Sequence, residues 1–275
     1  MEGYDPRRPV VAGYDGSAAG EAALRWAVQD ARLRYAPLVI CHAWQWPFAM
    51  PPSDISVMDA AQRLAAQVLR RGMWIARSLA PRLEIRTRLE LGSAAGALLV
   101  ETSSDELVVV GTHGPVAFGR LGGATTAAQV AAHAHCPVVV VGPAAAPPLR
   151  VIVGTDGSAA DGQAIGCAFE EAALRRCALY AVRASVDMGG ETRPAALRLQ
   201  RAVAPWCVKY PDVQVVTALD SRPPHEAMLS VAGDSDLIVL GEPAPSGLGT
   251  TARTVLLHAT CPVEVVHRAH PWTST

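Results

Sequence analysis

Charge of one sign is what this sequence lacks: 24 basic and 25 acidic side chains leave a formal charge of −1, and Lys209 is its one lysine. A chain so balanced has no field that would make nucleic acid or an anionic membrane surface its main partner. It also lacks a C-x-x-C pair. Cys41, Cys136, Cys167, Cys177, Cys207 and Cys261 are dispersed, mostly in apolar surroundings, and read as buried free thiols of a reducing cytoplasm. From Met1 to Val10 there are charges and prolines where a secretion signal needs an apolar run of about 7 to 15 residues. Long hydrophobic runs are missing as well. Leu121 to Leu149 is free of formal charge, yet Gly122, Gly123, Gln129, His133, His135, Pro137 and Pro143 interrupt it, and a membrane helix needs about 20 predominantly apolar residues. No G-K-[ST] occurs, which excludes a Walker A loop. Neither a Ser-His-Asp arrangement nor paired carboxylates can be assembled from spacing, so no general base for hydrolysis is apparent.

What the chain does have is a core and a repeat. Its 275 residues are half hydrophobic and 18% charged, enough apolar matter to offset the entropy of ordering, and at about 150 residues per domain the length suggests two domains. The segment Val10-Val11-Ala12-Gly13-Tyr14-Asp15-Gly16-Ser17 returns as Val151-Ile152-Val153-Gly154-Thr155-Asp156-Gly157-Ser158, an offset of 141. Leu107 to Gly111 returns as Leu237 to Gly241 at an offset of 130, and His133-Ala134-His135-Cys136-Pro137-Val138 as His258-Ala259-Thr260-Cys261-Pro262-Val263 at 125. The order holds while the offset shrinks. The expected organisation is a first domain at 1–143, an Ala/Pro-rich linker at 144–149 and a shortened second domain at 150–275.

Within the first copy, strands are expected at Val10 to Tyr14, Leu38 to Ala43, Ile85 to Leu91, Leu107 to Gly111 and Val138 to Gly142. Ala23, Trp26, Ala27 and Ala31 recur at helical spacing behind a Ser17 N-cap, and Leu64, Val68, Ala76 and Leu79 form a second apolar stripe. Near-continuous apolar strands alternating with helices imply an α/β fold: two tandem doubly wound, Rossmann-like domains, each with a five-stranded parallel sheet. Val138 to Val141 and Val263 to Val266 are apolar enough to be covered, and the two halves are expected to pair there. Ligands on such sheets sit beyond the carboxyl ends of the strands, where strand order reverses.

Three features converge on that edge. Asp15 follows the first strand between Gly13 and Gly16, free to face a ligand or to cap the helix behind Ser17. Strand two ends at Cys41-His42-Ala43-Trp44, whose backbone can pair with the edge of a flat ring. After strand four, the run from Gly111 to Thr126 passes through His113, Gly114, Gly123, Ala124 and Thr125 into a helix. Such a loop offers N–H donors to phosphate, or is simply a flexible turn. His133, His135 and Cys136 look like metal ligands, but a helix end running into a buried strand makes packing or capping the expectation, so no metal site is assigned. Trp44, Trp46, Phe48 and Met50 read equally as a lid over a ring or as a subunit contact.

The V-x-x-D-G-S run, the V-V-V-G-T-H-G exit from strand four and the H-A-x-C-P-V run, in this order, resemble the universal stress protein family over nearly the whole chain, as a tandem pair. Nucleotide-binding members carry G-x2-G-x9-G-[ST]. The resemblance implies ATP, with or without magnesium, as the ligand of the first half: phosphates on Gly111, Gly114 and Thr125, nucleoside on Asp15, adenine on the backbone at Ala43. The last motif glycine falls on Ala124, beside Gly122 and Gly123, which departs from the family pattern. In the second half only Pro245 to Gly249 separate Ala244 from Thr250, against Pro115 to Ala124 in the first, so that loop is expected to be too short to wrap a triphosphate. A smaller ligand held by Asp156 and Ala184 stays open. The expected function is a cytoplasmic, nucleotide-responsive regulator without catalysis. The alternatives are a nucleotide-free interaction module of the same fold and a slow ATPase; a homodimer and an unidentified protein partner stay open.

Overall fold

The computed structural model describes residues 8–45, 55–101, 107–112, 125–142, 148–155, 161–184, 192–241 and 248–267. The first half runs β1 (Val10–Gly13), α1 (Ala18–Leu33), β2 (Leu38–Trp44), α2 (Ile55–Leu79), β3 (Ile85–Leu91), α3 (Ala94–Glu101), β4 (Leu107–Gly111), α4 (Thr126–His133) and β5 (Val138–Val141). The second repeats it as β6 (Arg150–Gly154), α5 (Gly162–Arg175), β7 (Ala178–Ala184), α6 (Thr192–Lys209), β8 (Val215–Asp220), α7 (Pro224–Val231), β9 (Asp236–Leu240), α8 (Thr250–His258) and β10 (Val263–Val265). The five strands expected in the first half are all present. Of the expected linker at 144–149, residues 144–147 lie outside the described residues.

The strands form one ten-stranded sheet in the order β3-β2-β1-β4-β5-β10-β9-β6-β7-β8. Every pairing inside a half is parallel, and the two halves meet through a single antiparallel one, β5 with β10. Its register sets Val263 opposite Val140, Glu264 opposite Val139 and Val265 opposite Val138. Val139 and Glu264 are equivalent under the repeat offset of 125, so an approximate twofold axis passes between them. The two doubly wound sheets thus join edge to edge, and each covers the edge the other would expose.

Val10, Ala12 and Val139 turn to one helical layer and Val11, Val108 and Val140 to the other, as buried parallel strands require. Helix α1 buries Ala23, Trp26, Ala27 and Ala31 as its periodicity predicted. Helix α2 follows the expected stripe in part. Ala76 is buried and Val68 packs against the core, but Leu64 is 63% exposed and Leu79 40%, while Ala65, Leu69 and Ile75 are buried. Gly72 faces the Tyr14 ring, where a Cβ would come within 2.8 Å of it. The thiols need a correction too: Cys41, Cys136, Cys167 and Cys261 are buried, but Cys177 is half-buried and Cys207, on α6, is exposed. Burial pushes the Cys261 thiol up to about 12. Among the described residues, no helix is long and apolar enough to cross a membrane.

Around the axis α1 and α5 are joined by buried ion pairs. Asp30 and Arg34 on one side correspond to Glu171 and Arg175 on the other, each pair one helical turn apart. Each arginine also reaches the opposite acid, Arg34 to Glu171 and Arg175 to Asp30. The arginines hold the Asp30 carboxyl below the usual range despite its complete burial, which acts the other way. Glu264 sits beneath this brace on β10, 1% exposed, with Oε1 accepting from the Cys167 thiol and Oε2 without a partner.

Candidate functional site

The first half reverses strand order between β1 and β4, and there, beyond the carboxyl ends of the strands, lies an open cleft. Its walls come from five elements: Gly13 to Ser17 after β1, the first turn of α1, Cys41 to Ala43 at the end of β2, Ala94 and Leu98 of α3, and Gly111 with Thr126.

Asp15 is exposed at the mouth of the cleft. Its Oδ1 accepts from the Ser17 N–H at 2.9 Å, closing a short turn whose next residue, Gly16, has φ +81°. The capping role read as an alternative for Asp15 belongs to Ser17, whose hydroxyl oxygen accepts from the Gly20 N–H at 3.0 Å. The turn thus fixes one carboxylate oxygen of a residue that lines the cleft.

Ala43 owes its availability to a difference in strand length. β1 pairs β2 only as far as Gly13 opposite Cys41, and the Tyr14 N–H then donates to the Cys41 carbonyl. Backbone groups of alternate residues in a parallel strand point to the same side, so the N–H and C=O of Ala43 face where β1 has already ended. The Trp44 carbonyl points the other way, accepting from the Gly92 N–H. A donor and an acceptor side by side on an open edge suit the edge of a flat nitrogen heterocycle. His42 is tied back, its Nδ1 2.8 Å from the Tyr14 carbonyl.

Gly111 has a structural part that its place in a motif did not announce. A Cβ there would run into the Ala19 carbonyl, so the residue must be glycine for the first turn of α1 to seat against β4. Gly13 ends β1 against Leu98 and Val110 and forms part of the floor. Thr125 caps α4, its hydroxyl oxygen accepting from the Ala128 N–H at 3.2 Å, and Thr126 lines the cleft. The N–H groups of Thr126 and Ala127 open the helix without intrahelical acceptors, as the first turn of any helix does. His113, Gly114, Gly123 and Ala124 lie outside the described residues, as do Trp46, Phe48 and Met50.

Of the expected site residues, the structure brings Gly13, Asp15, Ala43, Gly111 and Thr126 to one cleft, with Thr125 capping the helix at its rim. It adds Tyr14, Ala19, Ala94 and Leu98, for which the sequence carried no motif. Tyr14 has a buried hydroxyl without a partner, and burial raises its pKa. His133 bonds the Gln129 carbonyl of its own helix while Cys136 is buried, which separates them as a helix-end contact and a core residue.

The second half departs from this geometry. Met228 stands where Leu98 stands in the first, and its Sδ occupies the space that a Cβ on Gly154 would need, whereas Leu98 stays 3.1 Å from the same position on Gly13. Thr155 Oγ1 donates to Asp161 Oδ2 at 2.7 Å, and α8 opens behind Gly249 without a side-chain cap. Asp156 and residues 242–247 lie outside the described residues.

A universal stress protein family profile matches residues 6–142 and again 149–267. A universal stress protein of Mycolicibacterium smegmatis is 30% identical over 94% of this chain and 96% of its own length. One from Mycobacterium tuberculosis is 30% identical over the same shares. A universal stress protein of Archaeoglobus fulgidus, solved as a crystal structure, superposes with a TM-score of 0.75 at 16% identity, covering 95% of this chain and 97% of that one, a likeness of fold. With its repeated β-α order, its cleft at the strand reversal and two profile matches, the chain belongs to the universal stress protein family.

Proposed function

We propose that the first half binds an adenine nucleotide, ATP in preference to its shorter relatives, and that the chain is a nucleotide-responsive regulator rather than an enzyme. The observation that carries this is the open backbone edge at Ala43 facing the same cleft as the Asp15 carboxylate. The edge suits a purine ring, and the carboxylate suits ribose hydroxyls, which donate to an ionised acceptor more strongly than to a neutral one. The capped start of α4 at Thr125 and Thr126 lies on the third side, where N–H donors and the helix dipole favour phosphate. The residues present therefore fit the group. ATP supplies recognition energy there, and the chain's own residues orient it.

A regulatory rather than catalytic role is supported by how the polar side chains of the cleft are engaged. The Asp15 carboxylate is engaged by the Ser17 N–H and the His42 ring by the Tyr14 carbonyl, an arrangement that suits holding and orienting a ligand. The second site is read as degenerate, on the closer approach of Met228 to Gly154 and on the shorter loop before Thr250.

Denaturing the purified chain and identifying released nucleotide by mass spectrometry tests this directly. Adenine nucleotide recovered, or bound on titration calorimetry, supports the reading. No binding of ATP, ADP or AMP at millimolar concentration leaves an interaction module of the same fold. Product formation matching one turnover per bound ATP within minutes would make the protein an ATPase.

A further inference from the structure

At the opposite end of the sheet from the cleft, where the strands begin, a wide groove runs between the C-terminal ends of α1 and α5 and the turn from α2 to β3. It carries three exposed arginines, Arg32, Arg82 and Arg176, none of which meets a carboxylate among the described residues. The acidic groups nearby are already taken. Glu84 pairs with Arg86, and Asp30 is buried in the brace with Arg34 and Arg175. In a chain of formal charge −1 this is a local excess of positive charge.

Apolar surface accompanies the charge. Leu33 and Leu79 are exposed at the groove, and Tyr35, in the left-handed region at φ 53°, is held outward with 83% of its surface exposed. Deeper along the groove, Trp26 is almost fully buried with its indole N–H unpartnered, and the Arg175 guanidinium lies over its ring.

The second half shows what the same space accepts when it is filled. The turns at 79–85 and 209–215 correspond one for one, each closing with the same backbone bond, Leu83 N–H to the Ala80 carbonyl and Val213 N–H to the Tyr210 carbonyl. Where the first half has Ala80 and Arg82, the second has Tyr210 and Asp212. Tyr210 folds back onto Phe169 with ring centroids 6.0 Å apart, and Lys209 covers it. At the Ala80 end of the groove the first half thus has a methyl group where the second has an aromatic ring, and an arginine where the second has an aspartate.

We propose that this groove docks an extended acidic segment of another protein, with an aromatic side chain seated beside Ala80 and carboxylates against Arg32, Arg82 and Arg176. Arginine forks bind carboxylates with two parallel hydrogen bonds, and an aromatic anchor flanked by charge is the usual composition of an interaction hot spot.

The test is fluorescence anisotropy of the full chain with a labelled peptide of alternating Glu and Asp around a central Phe. Saturable binding is expected that weakens about tenfold when salt is raised from about 50 to 300 mM. The combined Arg32→Glu, Arg82→Glu and Arg176→Glu variant should lose at least about tenfold in affinity, while the matching lysine variant, which keeps the charge but not the bidentate fork, should lose less. Ala80→Tyr, which copies the second half, should block the peptide with all three arginines intact. If that variant fails to fold by circular dichroism, the peptide with Phe replaced by Ala tests the same contact and should bind more weakly. Unchanged affinity in the Glu variant, no binding by the wild type, or equal affinity for a single-stranded oligonucleotide overturns the proposal.

Discussion

Single carboxylates carry opposite duties in the two regions that matter here. Asp15 is exposed at the mouth of the cleft, with its Oδ1 accepting from the Ser17 N–H. Replacing it by Ala removes charge-assisted hydrogen bonds worth about 1 to 3 kcal/mol, and ATP affinity on calorimetry should fall about 5- to 150-fold with the fold retained. Glu264 is the reverse case. Burial first, then the neighbouring Glu171, holds its carboxyl well above the ordinary range, against the attraction of Arg34 and Arg175. Its folded-state pKa exceeds its unfolded one, so its contribution is intact below the unfolded value and lost as pH rises toward the folded one. Glu170, pushed up to about 7 mainly by burial, adds a slope of the same sign that ends near that pH. Glu264→Gln keeps the neutral shape. Its melting temperature should match the wild type below about pH 4 and exceed it at pH 8, and a constant difference at all pH values would show that Glu264 is not protonated in the folded chain.

At the scale of elements, the cleft depends on how closely α1 approaches β4. Gly111 allows that approach, whereas a methyl group placed on its counterpart Gly241 would find the Ala164 Cβ as its nearest neighbour, at 3.5 Å. Gly111→Ala should therefore destabilise the protein by about 1 to 3 kcal/mol, since backbone rather than a flexible side chain must give way. Gly241→Ala should stay within about 0.5 kcal/mol. Chemical denaturation of the two variants compares them directly. The pair was not distinguishable from the repeat, where both glycines close the same L-x-V-x-G run. In α2, likewise, packing exposes Leu64 and Leu79 and buries Ala65, Leu69 and Ile75, a choice that the apolar pattern of the helix does not make.

At the scale of the whole molecule, an approximate twofold axis relates the two halves, while Met228 and the shorter loop before Thr250 set the second cleft apart from the first. Native mass spectrometry at saturating ATP should find one nucleotide per chain, and a clean value of two would show that Met228 and the shorter loop do not close the second site. The halves should not be separable into independent folded units either. Cutting between β5 and β10 would expose two apolar edges and leave Asp30, Arg34, Glu171 and Arg175 each without its partner across the axis, a cost that buried charges impose heavily when one member of a pair is taken away.

The amino-acid sequence by itself determined the strand and helix order, the repeat, the positions of Asp15, Ala43 and Thr125 at element ends, and the valine runs that meet at the centre. All of these are local patterns, set by side-chain period, capping chemistry and turn residues within a few positions of one another. What only the tertiary structure decided depends on distant chain segments coming together. The free backbone edge at Ala43 exists because β1 is shorter than β2, and the stringency at Gly111 because Ala19 lies above it. The ion-pair brace joins residues 137 and 145 positions apart, and Glu264 becomes a buried acid only when β10 is laid against β5. Hydrophobic period is written residue by residue, but burial, close approach and charge pairing are properties of two surfaces at once, and one stretch of sequence holds only one of them.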